Sequence, residues 1–322
     1  MHMPIHSGRP SMIGARVAVA PRISIGVPVY NGEAHLPAAL DALLAQSFQD
    51  FEIIVSDNHS TDGTEGICRE YASRDPRIRY VRADRNGGAA WNFNRVAELA
   101  RAPYFKWASS NDLHAPTYLA RCIEVLDAEP EVVLAYAKGW IIDGTGTLVR
   151  DAEDNLHLPW SDAARRFREY LRRVRLCNPV FGVIRRDVLL RTCMLRNYVG
   201  SDLVLLGELS LHGRFHEIPE PLFYRRLDEG NFARDRDQSL EKWQEFFDPK
   251  TKGKLFMRTW RHQYEYLMAA LRAPISVSEK ARVASLLCRG YVTYRHLLVR
   301  ELTDAVAHTA QRGFRRGPVS RT

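Results

Sequence analysis

Three short apolar runs in the first third of the chain each end in polar residues able to do chemistry. They are Pro28-Val29-Tyr30-Asn31, Asp57-Asn58-His59-Ser60-Thr61-Asp62 and Ser109-Ser110-Asn111-Asp112. An aromatic ring such as Tyr30 can stack on a nucleobase, a contact worth about 1 to 3 kcal/mol per base. A carboxylate such as Asp57 can accept from a base N–H. Asp112 offers a hard oxygen of the kind that holds Mg2+ or Mn2+, and such an ion stabilises charge developing on a departing diphosphate. Each residue alone has a plainer role: Tyr30 in a core, Asp57 or Ser60 as a helix cap, Asp112 as the N-cap of a helix beginning near Ala115. On adjacent strand ends, together, they favour a nucleotide.

For the three ends to meet, the apolar runs must be neighbouring strands of a largely parallel sheet, where ligands bind at the carboxyl ends. The pattern supplies such strands. ISIGVPVY, FEIIVSD, IRYVRA and PYFKWAS alternate with helical stretches from about Glu33 to Gln46, Asp62 to Ser73 and Ala89 to Ala100, and with a helix opening at Pro116. Alternation of this kind predicts βαβα units. After VVLAYAKGWIID the turn residues Asp143-Gly144-Thr145-Gly146 predict a hairpin, so the sheet becomes mixed. Ser161 to Val174 reads as a basic helix, NPVFGVI as a buried strand, and Ser201 to Leu211 as an amphipathic helix leading into strands FHEIP and PLFYRR. Beyond about Gln238 the pattern is helical only, around Lys252 to Leu271 and Ser278 to Ala310, and it ends in the basic tail GFRRGPVSRT.

With 322 residues, 45% of them apolar, the chain can bury a full core, which excludes wholesale disorder. No run is long enough to cross a bilayer, and residues 1–21 read as a leader without a signal-peptide core. Five scattered cysteines with no CxxC pair fit a reducing cytoplasm rather than a zinc or redox site. The net charge of +8 does not by itself choose among nucleic acid, an anionic membrane surface and a phosphate-bearing substrate. His59, His114, His212 and His216 lack metal-ligand spacing, and no Walker A or G-x-G-x-x-G pattern is present, which excludes a dinucleotide reading.

The run IGVPVYNGEAHLPAALDALLAQSFQDFEIIVSDNHSTDGT resembles the opening of glycosyltransferase family 2, whose members share a P-x-Y-N-x-E strand end and a D-N-x-S-x-D loop. The resemblance continues through Asn86-Gly87-Gly88-Ala89-Ala90-Trp91-Asn92 and KWASSNDLHAPTYLARC, covering about Arg22 to Leu227. It implies an α/β GT-A fold, Rossmann-like, with a mixed, mostly parallel sheet flanked by helices and a C-terminal helical extension. The catalytic domain would span 22–237, with a nucleotide-binding half at 22–115 and an acceptor half at 116–237, followed by a helical region at 238–322.

Carried over residue by residue, the resemblance puts Pro28, Tyr30 and Glu33 on the nucleotide pocket, Asp57 on the base, Asn86 in the adjoining segment, Asn111 near the ribose and Asp112 on a Mg2+ or Mn2+ ion. The sequence departs from the family pattern twice. Relatives carry two or three acidic residues where this chain has Ser110-Asn111-Asp112, and a histidine just after the Tyr-Arg-Arg run where this chain has Asp228. Asp228 is thus a candidate second metal ligand, against a solvated loop carboxylate, and Arg225 and Arg226 are candidates to grip the diphosphate, as guanidinium groups suit bidentate phosphate contacts. Asp202, at the predicted helix start where relatives carry an Glu-Asp pair, is the candidate base for inverting attack, against a first-turn helix charge, with Glu208 second.

The expected partners are a UDP, GDP or dTDP sugar and an acceptor glycan, glycolipid or small molecule, with no nucleic acid. Arg289, Arg295 and Arg300 beside Leu297, Leu298 and Val299 suit peripheral contact with the inner face of a membrane, against packing on the catalytic domain or in a homodimer. A sugar-nucleotide nucleotidyltransferase is disfavoured because PVYNGEAHLP lacks a glycine-rich, Arg- and Lys-bearing signature. A nucleotide-sugar-binding protein with weakened catalysis stays open, since a single carboxylate remains at the metal motif.

Overall fold

The computed structural model describes residues 20–152, 154–227, 240–251 and 257–315. The first half runs β1 (Ile23–Val29), α1 (Leu36–Leu44), β2 (Phe51–Asp57), α2 (Thr64–Arg74), β3 (Ile78–Arg82), α3 (Ala89–Leu99), β4 (Tyr104–Trp107), β5 (Leu113–His114) and α4 (Tyr118–Ala128). The middle runs β6 (Val132–Ile142), β7 (Leu148–Ala152), α5 (Ala163–Arg173), a 3-10 turn (Asn178–Phe181), β8 (Val183–Arg185), α6 (Arg186–Leu189), α7 (Ser201–His212) and β9 (Arg214–Arg226). Four further helices follow, α8 (Leu240–Phe247), α9 (Arg258–Arg272), α10 (Val277–Thr293) and α11 (Arg295–Arg315).

Among the described residues the strands form one sheet in the order β3-β2-β1-β4-β8-β6-β9-β5, with β7 beside β6. β1, β2, β3 and β4 are mutually parallel neighbours, and Val29 at the end of β1 lies in register with Asp57 at the end of β2. β8 and β7 run antiparallel to their neighbours, so the sheet is mixed beyond β4. The β6–β7 hairpin forms at the predicted turn, where Asp143 Oδ1 accepts from the backbone N–H of Thr145 and Thr147.

Alternation along β1 and β2 divides the core into two layers. Ile23, Ile25, Val27, Ile53 and Val55 pack with Leu36, Leu40, Cys68 and Leu119 of α1, α2 and α4. On the other face Ile54 packs with Val96 of α3, joined by Phe167, Leu205, Leu209 and Tyr266 of α5, α7 and α9. Gly26 lets α3 lie directly on β1, because a Cβ there would meet Val96 Cγ2 at 2.5 Å.

Three expectations need correction. NPVFGVI is not one strand: Cys177 stands in the left-handed region (φ 64°) and starts a 3-10 turn through Pro179, leaving only Val183–Arg185 extended. α7 is not amphipathic, since Ser201 and every residue from Val204 to Leu211 are buried between the sheet side and α9. FHEIP and PLFYRR form one continuous β9, with register shifts against β6 that absorb the prolines. At the C-terminal end, α9 packs on α7 and α10 on α5, so these helices cover that side of the sheet domain, and no helix among the described residues is long and apolar enough to cross a membrane.

Candidate functional site

The turn after β1 is tied to the turn after β2 by side chains that the strand-end motifs supply. Asn31, itself left-handed (φ 51°), donates its N–H to Ser60 Oγ at 2.9 Å and accepts from Thr61 N–H at 2.9 Å through Oδ1. Gly32 N–H reaches Thr64 Oγ1 at 2.9 Å, and Glu33 Oε2 accepts from Gly63 N–H at 2.5 Å. Glu33 is therefore engaged in clasping the start of α2, away from the cavity wall described next.

A cavity of about 1000 Å3 opens at the carboxyl ends of β1, β2 and β4. Pro28, Tyr30, Asn58, Asn86, Ser110 and Asn111 line it, and Lys242, Glu245 and Phe246 of α8 form its far side. Tyr30 is 48% exposed, so its ring is open to a stacking partner. Asn58 organises the opposite wall: its Nδ2 donates to Asn86 Oδ1 at 2.9 Å and Gly88 O at 3.3 Å, while Oδ1 accepts from Gly87 N–H at 2.9 Å.

Asp57 does not reach the cavity. Successive residues of a strand point to opposite faces: Ser56 bonds Asn92 of α3, Asp57 turns toward β3 and α2, and Asn58 returns to the cavity side. Asp57 is fully buried, with Oδ1 accepting from Ser60 N–H at 2.8 Å and Oδ2 accepting from Tyr80 Oη at 2.9 Å and facing Arg82 Nε at 3.3 Å. The expectation that Asp57 meets the base thus fails on side-chain direction, and Asn58 is the residue it overlooked.

Asn111 lines the cavity, and its Oδ1 accepts from Ser109 Oγ. Asp112 lies just behind, buried, accepting from Arg226 N–H at 2.9 Å through Oδ1. Burial pushes its carboxyl up to about 6, against the opposing pull of Arg225, the Arg226 N–H and Lys106. Lys106 is itself buried over the Tyr118 ring at 4.6 Å and pushed down to about 7 by desolvation. His114 is buried in the same shell, with neither ring nitrogen hydrogen-bonded among the described residues.

The two arginines expected on a diphosphate are engaged elsewhere. Arg226 is buried, donating to the carbonyls of Asn111 at 3.0 Å, Asp143 at 2.9 Å and Gly144 at 2.8 Å. Arg225 donates to Leu176 O at 2.5 Å and Asn178 Oδ1 at 2.6 Å. Neither lines the cavity, so both act on the site as scaffold and field rather than as wall. Asp228 lies outside the described residues.

Asp202 sits in the first turn of α7, after Gly200 in the left-handed region (φ 83°), with Oδ1 accepting from Leu203 N–H at 3.0 Å. It faces the buried Cys177, whose thiol is pushed up by burial and by Asp202. Cys177 adjoins Asn178, the partner of Arg225, and the charge of Arg225 acts in turn on Asp112. Ser201 Oγ, beside Asp202, is buried without a partner among the described residues.

Similarity to known proteins agrees with this arrangement. The family model for Glycosyl transferase family 2 matches residues 24–192, just over half the chain. An uncharacterized glycosyltransferase of Rickettsia typhi is 34% identical over 125 residues, 38% of each chain, and the chondroitin synthase of Escherichia coli is 27% identical over 129 residues, 40% of this chain and 19% of that one. An uncharacterized protein of Sinorhizobium fredii is 36% identical over 132 residues, and there the chain spans only 14% of the relative's length. Among solved structures, S. aureus TarS 1-349 in complex with UDP-GlcNAc superposes with a TM-score of 0.63 at 16% identity, covering 89% of this chain and 81% of that one, a likeness that supports the GT-A fold. Strand-end motifs, fold and the span of the family match agree, and the chain belongs to glycosyl transferase family 2.

Proposed function

We propose that this chain transfers a sugar, with inversion, from a nucleotide-diphosphate sugar to an acceptor hydroxyl. The observation that carries the reading is the single cavity at the sheet's carboxyl edge that joins Tyr30, Asn58, Asn86 and Asn111 from four separate segments. The UDP-GlcNAc held by the similarly folded TarS supports a nucleotide sugar as donor.

In this reading Tyr30 stacks on the base, Asn58 shapes the pocket at the base edge, and Asn111 meets the ribose. At the end of β4 the Asn111 amide lines the cavity and the Asp112 carboxylate lies buried just behind it, one hard oxygen donor where Mg2+ commonly takes one or two carboxylates with substrate phosphates completing its shell. Asp112 would hold Mg2+ or Mn2+, whose charge stabilises the leaving diphosphate. Asp202 takes the proton of the acceptor hydroxyl while that oxygen bonds the anomeric carbon and the sugar–phosphate bond breaks, its electrons leaving with the diphosphate. Arg225 and Arg226 contribute positive potential near the departing phosphate without touching it.

We place the acceptor among glycans, glycolipids and small molecules. The exposed Val299, Leu302 and Val306 of α11, near Arg295 and Arg300, support peripheral contact with a membrane face. Calorimetry with UDP, GDP and dTDP, with and without Mn2+, followed by a donor-hydrolysis screen, tests the proposal. Metal-assisted binding of one nucleotide with hydrolysis of its sugar supports it. Binding without hydrolysis or transfer to any acceptor would favour a binding protein, the reading that the single carboxylate motivates.

A further inference from the structure

Away from the nucleotide cavity, α5 and α10 face each other with matching rows of arginine. Arg165, Arg168 and Arg172 recur at i, i+3 and i+7 on α5, which puts them on one exposed side, and Arg282 and Arg289 recur at i and i+7 on α10. Between the helices lies a groove of about 400 Å3, lined by Arg165, Arg168, Arg282, Arg289 and Leu286. It is followed by a smaller recess of about 190 Å3 lined by Asn155, Arg172, Arg173 and Arg175. Asn155 also lines the polar hollow that contains Asn178, the partner of Arg225. The row of positive charge therefore runs from the α5–α10 groove toward the hollow beside Asn178.

Neighbouring carboxylates do not neutralise it. Asp162 pairs with Arg282 at 2.6 Å, and the buried Glu169 is shared among Arg168, Arg172 and Arg173 at 3.1 to 3.3 Å. Glu279 is spent on capping α10 and accepting from Ala163 N–H. Seven arginines thus meet four carboxylates once Asp154, which accepts from Arg175 N–H at 3.2 Å, is included, so positive charge stays in excess along the α5–α10 groove, whereas the hollow beyond Asn155 is also lined by Asp151, Asp154 and Glu217.

We propose that this groove binds an acidic glycan, a chain carrying carboxylate, sulfate or phosphate groups at regular spacing, which presents its end to the transfer site. The assignment of that chain as acceptor rests on the glycosyltransferase reading; the binding itself does not. The shape favours a chain over a bilayer: the arginines line a concave channel, and the apolar side of α5, Ala163, Ala164, Phe167 and Tyr170, is buried in the core rather than offered to lipid. It also disfavours single-stranded nucleic acid, which needs open aromatic faces for its bases. The aromatic ring at the groove, Trp160, already carries Arg165 at 4.5 Å and Arg173 at 5.3 Å. Guanidinium forks spaced along a channel suit bidentate contacts with successive anionic groups.

The test is fluorescence anisotropy of the full chain with labelled oligogalacturonate and sulfated dextran oligomers, beside neutral dextran, phosphatidylglycerol vesicles and single-stranded RNA, at several salt concentrations. Acidic glycans should bind at least about tenfold more tightly than neutral dextran, with affinity falling as salt rises. The triple variant Arg168→Gln, Arg172→Gln, Arg289→Gln should lose about tenfold or more of that affinity and flatten its salt dependence, while the corresponding triple Lys variant, which keeps the charge but not the forks, should bind with intermediate affinity and an unflattened salt dependence. Should the Gln variant not fold, the single Arg289→Glu replaces it with the same expectation of direction. Binding no better than dextran, tighter binding to vesicles or RNA, or an unaffected Gln variant each overturns the proposal. Glycan binding in a chain that binds no nucleotide would leave the groove standing and remove the transferase reading, and the reverse result would do the opposite.

Discussion

Asp57 and Asn58, neighbours at the end of β2, serve opposite sides of the sheet: Asp57 Oδ2 accepts from Tyr80 Oη at 2.9 Å within the core layer, whereas Asn58 Nδ2 donates to Asn86 Oδ1 at 2.9 Å on the cavity wall. One residue holds the fold and the next holds the pocket.

This split predicts two separable phenotypes. Asp57→Asn turns one acceptor oxygen into a donor facing Tyr80 or Ser60, and a buried donor left without an acceptor costs about 1 to 3 kcal/mol. The variant should melt earlier and bind nucleotide almost normally. Asn58→Ala releases Asn86, Gly87 and Gly88 from one anchor and should weaken nucleotide binding about tenfold, near 1.4 kcal/mol. Thermal unfolding and calorimetry on both proteins check this. If Asp57→Asn lost as much affinity as Asn58→Ala at equal stability, the division between the two faces would be wrong.

The start of α7 predicts a kinetic effect without a binding effect. Asp202 faces Cys177 at the start of α7, outside the cavity lined by Tyr30 and Asn58. Asp202→Asn keeps the size and the hydrogen bond from Leu203 N–H to the side-chain oxygen but removes the basic oxygen pair. Turnover should fall by about 100-fold to 10,000-fold, the range for loss of general-base catalysis, with nucleotide affinity unchanged. Unaltered turnover would take Asp202 out of the base role and bring Glu208 forward, although Glu208 is fully buried and paired with Arg272 at 3.0 Å.

Much of this arrangement was legible in the letters, and what was not has definite physical causes. The parallel β1–β4 region followed from apolar runs alternating with helical stretches, and Tyr30 and Asn111 share one cavity because residues ending neighbouring parallel strands face one edge, while Asn86 in that cavity came from the family resemblance. Asp57 was misplaced because a motif was read as a unit, although a strand's period of two separates residues 57 and 58 by face. Arg225 and Arg226 looked like phosphate ligands by residue type. Only the tertiary fold brings the carbonyls of Asn111, Asp143 and Gly144 around Arg226, and pairing across more than 80 residues leaves no local signal. The turn at Cys177 was hidden for the opposite reason: NPVFGVI is apolar enough for a strand, and a left-handed cysteine announces nothing in sequence.

The cysteines predict a chemical readout of the same packing. Burial pushes Cys68, Cys122 and Cys193 up to about 12 and also raises Cys177 well above the ordinary thiol range, so at pH 8 these four thiols are almost wholly protonated. Cys288 is exposed on α10. Since the thiolate is the reactive form, a thiol reagent at pH 8 should modify one cysteine rapidly in the native protein and all five after unfolding. Peptide mapping should place the fast site at Cys288, and rapid modification of Cys68, Cys122 or Cys177 would contradict their packing, with the half-buried Cys193 reacting more slowly than Cys288.

Gly88 predicts how the cavity depends on the helical region beyond the sheet. Its backbone lies at φ 88° and ψ 164°, a region kept almost entirely for glycine, where another residue costs about 1 to 3 kcal/mol. Space is also lacking, because a Cβ would stand 2.5 Å from Phe247 O and 2.9 Å from Pro249 Cδ at the end of α8. Gly88→Ala must therefore strain the loop that Asn58 anchors or push away the segment carrying Lys242, Glu245 and Phe246. Either response opens the cavity, so nucleotide affinity should fall along with melting temperature, and limited proteolysis should cut faster around residues 240–251. If the variant lost stability but bound nucleotide as before, with 240–251 still protected, α8 would have no part in holding the ligand, and the cavity's far side would have to be sought elsewhere.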